Sequence, residues 1–116
     1  MSHALDKENL QQAAPKLAEI THNLLFGDIW QRDILTPRER SLITLACLAA
    51  LGREKQLGWH MRFATENGLS RRELSEAFTH LAFYAGWPAA VTALTICLKA
   101  ICQRRKAHAA DPHHAE

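Results

Sequence analysis

The chain has 116 residues, of which 47% are hydrophobic, and its formal net charge is +2. This length corresponds to one domain that buries about two thirds of its unfolded surface. So small a charge does not demand a nucleic-acid partner, and we expect none. The longest apolar run, near residues 42–51, is too short to span a bilayer, so we also expect no membrane partner. The first residues lack an apolar signal segment, which indicates the cytoplasm.

The composition predicts an all-α protein, because aliphatic residues and alanine dominate while there are only five glycines and four prolines. Helical periodicity predicts five helices, the first of them interrupted at Pro15. We place these helices at about 8–26, 37–51, 53–67, 71–85 and 88–105. Residues 28–33 are expected to form a single turn or ordered loop. The prediction is therefore one bundle of five to six helices over residues 1–105, followed by a loosely held polar tail at 106–116.

The helix at 37–51 is the element around which we expect the fold to be built. Thr36 and Glu39 form a capping box at its start, and Ser70 with Glu73 repeats this pattern further along the chain. The residues after Ser41 are apolar on every face, which predicts a central rod that is buried all round. Cys47 lies in this run and is expected to be an inert, buried thiol. Three cysteines without a C-x-x-C pair are typical of a reduced, cytosolic protein.

His60 is the first candidate for chemistry. A short turn at Gly52 would bring His60 level with Thr44, within one turn of Arg40, with Glu39 about 7 Å further along the helix. A histidine near arginines in a partly apolar pocket suits an anionic substrate and proton transfer. The alternative is a structural histidine whose ring is held by hydrogen bonds.

Four further residues are candidates for binding a substrate. Arg40 precedes Leu42 and Ile43, which are expected to be buried, and an arginine can hold a carboxylate through two parallel hydrogen bonds. Arg32 is a second choice, and His80 and Tyr84 share one helical face because they are four residues apart. Solvated charge for the arginines and packing for the other two are the alternatives. The tail histidines could bind a metal adventitiously, but we expect no metal site: His108, His113 and His114.

Three segments together resemble the carboxymuconolactone decarboxylase family. They are GDIWQRD at 27–33, RERSLITLACLAALGREKQLGWHMRFATENGLS at 38–70 and HLAFYAGWPAA at 80–90, and the likeness extends from about residue 24 to residue 102. The resemblance implies an alkylhydroperoxidase-D-like fold assembled into a ring-shaped homohexamer. Three tryptophans and many large apolar residues on a few modest helices also predict a homo-oligomer, a hexamer or a trimer.

The superfamily has a peroxidase branch and a decarboxylase branch. The peroxidase branch uses C-x-x-C-x-x-x-H and a glutamate, and aligning its histidine on His60 places those functions at Arg53, Gln56 and Ser41. Both thiols and the acid are missing, which argues against dithiol chemistry. The decarboxylase branch lacks these cysteines too and carries the G-D-I-W and Y-x-G-x-P-A-A segments found here. That branch converts 4-carboxymuconolactone to 3-oxoadipate enol-lactone and carbon dioxide in protocatechuate breakdown.

The resemblance thus implies a decarboxylase that uses neither a metal nor an organic cofactor and acts on a small-molecule carboxylate. We take His60 and Glu39 as candidate catalytic residues, and Arg40, Arg32, His80 and Tyr84 as candidate substrate-binding residues. Two alternatives stay open. One is a non-catalytic oligomeric scaffold or stress-associated protein of the same fold. The other is a peroxidase-like activity that relies on a different cysteine.

Overall fold

The structure of the protein is a computed structural model. Helices make up most of the part of the chain that it describes. That part comprises the backbone of residues 7–109 and the side chains of residues 9–101, and it contains no strand, which confirms the all-α prediction. Between the second and third helices lie a π-helical turn, Thr21–Phe26, and a 3₁₀ turn, Ile29–Gln31. The helices are α1 (Lys7–Ala13), α2 (Pro15–Ile20), α3 (Pro37–Leu51), α4 (Glu54–Glu66), α5 (Arg71–Ala85) and α6 (Trp87–Ala109).

Capping boxes fix the starts of α3 and α5, as the sequence predicts. The backbone N–H of Glu39 donates to Thr36 Oγ1 over 3.1 Å, and Thr36 N–H donates to the Glu39 carboxylate over 2.8 Å. At α5 the same reciprocal bonds join Ser70 and Glu73, at 3.0 and 2.9 Å. The Glu73 carboxylate also forms an ion pair with Arg38 in the first turn of α3. Both helices therefore begin at the predicted residue.

The last helix is longer than predicted. Its backbone continues to Ala109 rather than ending at residue 105, whereas a loosely held polar tail at 106–116 stays a prediction. The reason for the extra length is local propensity, because glutamine, arginine, lysine and alanine at 103–107 are all good helix formers. The tail histidines His113 and His114 lie outside the described residues, as does the side chain of His108.

Helices α3 and α6 share the centre of the bundle, since each packs against the other and against both α4 and α5. The buried face of α6 carries only small side chains, which let three helices approach one axis: Ala90, Ala93, Cys97 and Ala100. The sequence instead favoured the large aliphatic residues of this helix as its contacts. Of these, Leu94, Ile96 and Ile101 pack at the edge of the core, whereas Val91 and Leu98 are about half exposed.

Helix α3 is buried on one side only, which contradicts the prediction of a rod buried all round. Leu45 and Ala49 face the core, but Ile43 and Leu51 are 57% and 60% exposed, and Cys47 is an exposed thiol rather than a buried one. Within one chain, the neighbouring helices cover a single face of α3. The buried thiol is Cys97, whose pKa is raised by burial.

The first two helices form an arm that stands apart from the four-helix body of α3–α6. Helix α1 continues into α2 through backbone hydrogen bonds, α2 contacts the π-helical turn that follows it, and the 3₁₀ turn then packs on α3. Among the described residues, no helix combines the length and apolar character needed to cross a membrane. In the same part of the chain, no group of three or more histidine, cysteine or acidic side chains is arranged to hold a metal ion.

The cap of α5 yields a stability prediction. Ser70→Ala removes the hydroxyl that accepts from Glu73 N–H and should lower the free energy of unfolding by about 1 kcal/mol. Ser75→Ala is the matched control, because Ser75 is exposed inside the same helix and alanine is a better helix former there. Urea unfolding at one fixed protein concentration measures both variants. An equal loss in the two variants would contradict a capping role for Ser70.

Candidate active site

Four aromatic rings from three different elements form a cluster, here called the aromatic wall: Phe26, Trp30, Trp59 and Phe63. Phe63 lies at its centre, with ring centroids 5.2 Å from Trp30, 5.0 Å from Trp59 and 6.2 Å from Phe26. Phe26 and Trp30 stack on each other at 6.0 Å. Aromatic pairs of this kind each contribute roughly 0.5–1.5 kcal/mol beyond the area they bury. The wall thus joins the end of the arm to α4.

The G-D-I-W segment explains how Trp30 reaches this position. A Cβ atom at Gly27 would lie 2.6 Å from the carbonyl oxygen of Asn23, which is too close, so only glycine fits where the π-helical turn ends. The amide of Gln31 then donates to the Phe26 carbonyl over 3.0 Å and closes the following turn. Trp30 is consequently buried between the turn and Phe63.

His60 lies at the edge of the aromatic wall. Its ring meets Trp59 edge-on at 4.7 Å and Phe63 at 6.4 Å, and its side chain is half-buried. This burial lowers the pKa of His60 below its ordinary value of 6.5. The imidazole is therefore neutral near pH 7, with one nitrogen that donates a hydrogen bond and one that accepts. A neutral imidazole can polarise an oxygen atom or accept a proton.

In the described chain, Arg40 carries a buried hydrogen-bond donor without an acceptor close to the turn that holds Trp30. Its Nη2 donates to the backbone carbonyl of Arg32 over 3.2 Å, which fixes one end of the guanidinium. Its Nε is buried and meets no acceptor within the described residues. A buried donor without a partner is costly, and a carboxylate would satisfy it. Arg40 thus contacts the backbone of Arg32, whereas the Arg32 side chain is exposed.

The register of α3 and α4 separates Arg40 from His60. The Asn67 amide, just past the end of α4, donates to the buried hydroxyl of Ser41 over 2.9 Å. His60 is seven residues before Asn67, so it lies about 10 Å along α4 from the level of Ser41. The expectation that His60 lies within one turn of Arg40 is not met by this register. A series of ring contacts, from Trp30 to Phe63 and from Phe63 to His60, leads from the turn before Arg32 to the imidazole.

The other predicted site residues lie away from the wall. The Glu39 carboxylate is held in the cap by the backbone N–H and the hydroxyl of Thr36, and these bonds lower its pKa. These are the contacts of a helix cap, and a catalytic role for Glu39 stays a prediction. His80 and Tyr84 share a face of α5, as predicted, with ring centroids 5.1 Å apart. Both are exposed, and α5 packs chiefly on α6 and α3 rather than on α4, which carries His60.

Two hollows in the described chain do not involve the candidate residues. One is an apolar gap of about 20 Å³ between α3 and α5, lined by Leu45 and Phe78 among others, which has room for a single water molecule. The other is a shallow depression on the first turns of α5, at Arg71 and Glu76. His60 and Arg40 line neither of them. In a single chain the aromatic wall is an open surface, on which Trp59 is about half exposed.

Comparison with known proteins fits this helical architecture. The profile of the carboxymuconolactone decarboxylase family matches residues 15–99, which include the aromatic wall, His60 and Arg40. The chain belongs to the carboxymuconolactone decarboxylase family. The resemblance stated from the three sequence segments is confirmed by this match.

Three relatives show how the family is represented. The chain is 38% identical over 87 residues to the 4-carboxymuconolactone decarboxylase of Acinetobacter baylyi. The matched region covers 75% of this chain and 65% of that protein. It is 35% identical over 83 residues to the nitrosuccinic acid decarboxylase npaB of Metarhizium robertsii, covering 72% and 58%. An uncharacterized 15.0 kDa protein of Paracoccus denitrificans is 27% identical over 93 residues, covering 78% and 69%. The match thus spans less than two thirds of the first two relatives.

The positions that carry the thiols in the peroxidase branch hold other side chains in this family member. Arg53 and Gln56 are exposed around the start of α4, and Ser41, at the glutamate position, is buried and bonded to Asn67. The sequence analysis treated Trp30 and Trp59 as core or interface anchors and did not connect Phe26 and Phe63 with His60. The signal that could have done so is the three-residue spacing of His60 and Phe63 on one face of α4.

The half-buried imidazole gives a titration prediction. The C2 proton resonance of His60 should titrate below pH 6.5, because burial disfavours the charged ring. Phe63→Ala should raise this pKa towards 6.5 by letting water reach the imidazole. The charged ring is disfavoured only in the folded state, so the free energy of unfolding should decrease as the pH falls from 6.5 through the His60 pKa. That decrease should be absent in His60→Gln.

A matched substitution makes the titration decisive. Phe83→Ala removes an exposed phenylalanine on α5 whose described ring contact is with Trp87, and it should leave the His60 pKa unchanged when the proteins are compared in the same state of association. Nuclear magnetic resonance titration of the three proteins measures the effect. A His60 pKa at or above 6.5, or an equal shift in the two phenylalanine variants, would contradict the role given to the aromatic wall.

Proposed function

We propose that this protein is a decarboxylase that needs no metal or organic cofactor and acts on a small carboxylated lactone or a compound of similar chemistry. The observation that carries the proposal is the family match together with its two relatives named as decarboxylases, at 38% and 35% identity. The substrates in their names differ, 4-carboxymuconolactone in one and nitrosuccinic acid in the other. The reaction type is therefore better supported than any one substrate.

The two substrates share a chemical requirement. When the bond from the carboxylate carbon to the substrate breaks, carbon dioxide leaves and the electron pair stays on the substrate. In a lactone that pair passes to the carbonyl oxygen, and a nitro group can accept it in the same way. A hydrogen-bond donor at that oxygen stabilises the developing charge, and a proton must then be delivered to carbon. A site for this chemistry needs a donor, a proton carrier and a cation that holds the substrate.

His60 suits the first two of these tasks. Because burial holds its pKa below 6.5, the neutral ring can donate its N–H to the oxygen that becomes negative. The aromatic wall beside it keeps water from one side of the ring, and a hydrogen bond is stronger in such an environment than in water. The same ring could instead carry the proton to carbon. Both roles place the reacting part of the substrate against His60.

Arg40 suits the third task. Its buried Nε has no acceptor among the described residues, while Nη2 is already fixed by the Arg32 carbonyl. A carboxylate could bind Nε only after the groups that cover this atom move, and it would then meet a guanidinium that the Arg32 carbonyl has already oriented. The aromatic wall, with Trp30 and Phe63, would then support the body of the substrate between Arg40 and His60. Arg32, His80 and Tyr84 stay candidates whose contact with a substrate depends on the assembled protein.

A non-catalytic oligomeric scaffold is the second candidate. It is favoured by one observation, that the two described hollows of the chain are lined by neither His60 nor Arg40. The decarboxylase proposal therefore includes a homo-oligomer, a hexamer or a trimer, in which a second chain encloses the open wall. Turnover separates the two candidates, because a scaffold would convert no substrate even when its assembly is intact.

The catalytic proposal is tested by ultraviolet-monitored turnover of freshly generated 4-carboxymuconolactone and by release of carbon dioxide. His60→Gln should reduce turnover by about 10²–10⁴-fold, the usual contribution of a general acid or base. Arg40→Lys should mainly raise KM, by about tenfold or more, because lysine keeps the charge but loses the paired geometry. Arg53→Lys, at an exposed position, is the control and should retain both constants. Full turnover in His60→Gln would refute the assignment.

Glu39 can be separated from its structural role. Glutamine at this position keeps the capping box, since it can still accept from Thr36 N–H, but it cannot carry a proton in the manner of a carboxyl group. If Glu39 serves the cap alone, Glu39→Gln should leave turnover and the free energy of unfolding close to those of the parent protein. A loss of turnover of about 10²-fold without loss of stability would instead establish a catalytic role.

The peroxidase alternative is tested through the cysteines. Replacing Cys47, Cys97 and Cys102 together by alanine should leave decarboxylase turnover largely intact, because none of them lies at a position that the peroxidase branch uses. The buried Cys97 also has a raised pKa, which disfavours the reactive thiolate. Peroxide consumption by the parent protein that disappears in the folded triple variant would support a thiol peroxidase instead.

A further inference from the structure

The imidazole of His60 forms no hydrogen bond within the part of the chain that the structure describes. Three of the four residues that share its face of α4 are Leu57, Phe63 and Ala64, whose side chains neither donate nor accept. The fourth, Gln56, is exposed and makes no hydrogen bond to the ring. A histidine that serves structure alone is usually held by a hydrogen bond to at least one ring nitrogen. His60 does not fit that description.

Both ring nitrogens of His60 are accessible in the single chain. Over the described side chains, Arg40 Nε is the one buried nitrogen or oxygen atom that lacks a hydrogen-bond partner. Since the two nitrogens of His60 lack partners as well, neither of them is fully enclosed. In a functional histidine, a hydrogen bond to one nitrogen commonly decides which tautomer the other nitrogen presents. Here the chain leaves that choice to the molecule that binds the ring.

Ring contacts replace the missing hydrogen bond. The centroids of the Trp59 and His60 rings lie 4.7 Å apart with 84° between their planes, and Phe63 lies 6.4 Å from His60 at 67°. Both pairs have the edge-to-face arrangement that aromatic rings adopt at about 4.5–7 Å. The χ2 torsion of histidine has a broad profile, so the backbone alone does not fix the plane of the ring. Contact with Trp59, the closer of the two rings, therefore sets this plane.

Trp59 is itself held by two other rings of the aromatic wall. Its indole lies 5.0 Å from Phe63 and 6.2 Å from Phe26, measured between centroids. Phe26 ends the π-helical turn, whereas Trp59 belongs to α4, so tertiary packing contributes to the orientation of the indole. Trp59 is nevertheless 49% exposed. A substitution at this position consequently removes little of the buried core.

We propose that Trp59 is the positioning residue of His60. The indole fixes the plane of the imidazole through ring contact, and this leaves both nitrogens free for a substrate. A carboxylate or a carbonyl that oriented the ring would occupy one nitrogen, whereas a ring contact occupies neither. The effect of Trp59 on turnover rests on the proposed function, but the orientation of the ring can be measured without a substrate.

The strength of the ring contact sets the size of the expected effect. An edge-to-face pair of this kind favours one orientation by roughly 2- to 12-fold. Loss of the contact should lower the fraction of His60 rings in the productive orientation by about the same factor. Such a loss lowers kcat and leaves KM nearly unchanged, because the groups that bind the substrate are retained.

Relaxation of the His60 ring carbons, measured by nuclear magnetic resonance on protein with carbon-13-labelled histidine, tests the orientation. At about pH 8 the ring is neutral, since burial lowers its pKa. Trp59→Leu keeps an apolar side chain without an aromatic ring, and the order parameter of the imidazole should fall below about 0.6. Trp59→Phe should restore most of the order. Gln56→Ala removes the polar neighbour on the same face and should change nothing.

Turnover of 4-carboxymuconolactone is the second measurement, with all variants at equal helicity and in the same state of association. Trp59→Leu should lower kcat several-fold, up to about tenfold, at nearly constant KM, and Trp59→Phe should recover most of it. Three results would overturn the proposal: an ordered imidazole in Trp59→Leu, an equal loss of order in Gln56→Ala, and a raised KM with unchanged kcat in Trp59→Leu. A parent protein without turnover would refute the decarboxylase function, and the relaxation data would still decide the role of Trp59.

Discussion

The small side chains on the buried face of α6 are the constraint on which the rest of the fold depends. Ala90, Ala93, Cys97 and Ala100 leave room for three helices to pack around one axis. A larger residue at any of these positions would push a neighbouring helix outwards, and overpacking of this kind commonly costs about 1–3 kcal/mol. The position of α4 follows from this packing, and α4 carries the aromatic wall and His60. The geometry of the candidate site therefore depends on the buried face of α6, which contributes no residue to that site.

The sequence predicts helix starts well and helix faces poorly, and the two have different physical origins. Thr36 with Glu39 and Ser70 with Glu73 satisfy backbone groups within three residues, so their outcome is decided locally. The other helices decide which side of α3 or α6 is buried. Two helix faces that are equally apolar in sequence can therefore differ in burial. Ile43 and Leu51 are exposed for this reason. The other helices of the same chain are too few to cover every apolar residue of α3.

The candidate site was predictable in its residues but not in its arrangement. His60 and Arg40 stand out in the sequence because each is a polar group beside an apolar run. Their separation depends on the register of α3 against α4, which the Ser41–Asn67 bond reveals. The aromatic wall beside His60 comes in part from Phe26 and Trp30, more than twenty residues before Trp59 and Phe63, and no local pattern connects such distant positions. Tertiary packing, rather than sequence spacing, relates the two candidate groups.

The ion pair between Arg38 and Glu73 gives the Glu73 carboxylate two tasks at once. One oxygen completes the cap of α5 at Ser70 N–H, and the other meets the guanidinium on the first turn of α3. The cap bond and, after it, the arginine hold the pKa of Glu73 below its ordinary value of 4.5. The two helix starts are thereby joined at one corner of the bundle. Protonation of the Glu73 carboxyl, as the pH falls through its lowered pKa, would weaken the cap of α5 and the link to α3 together.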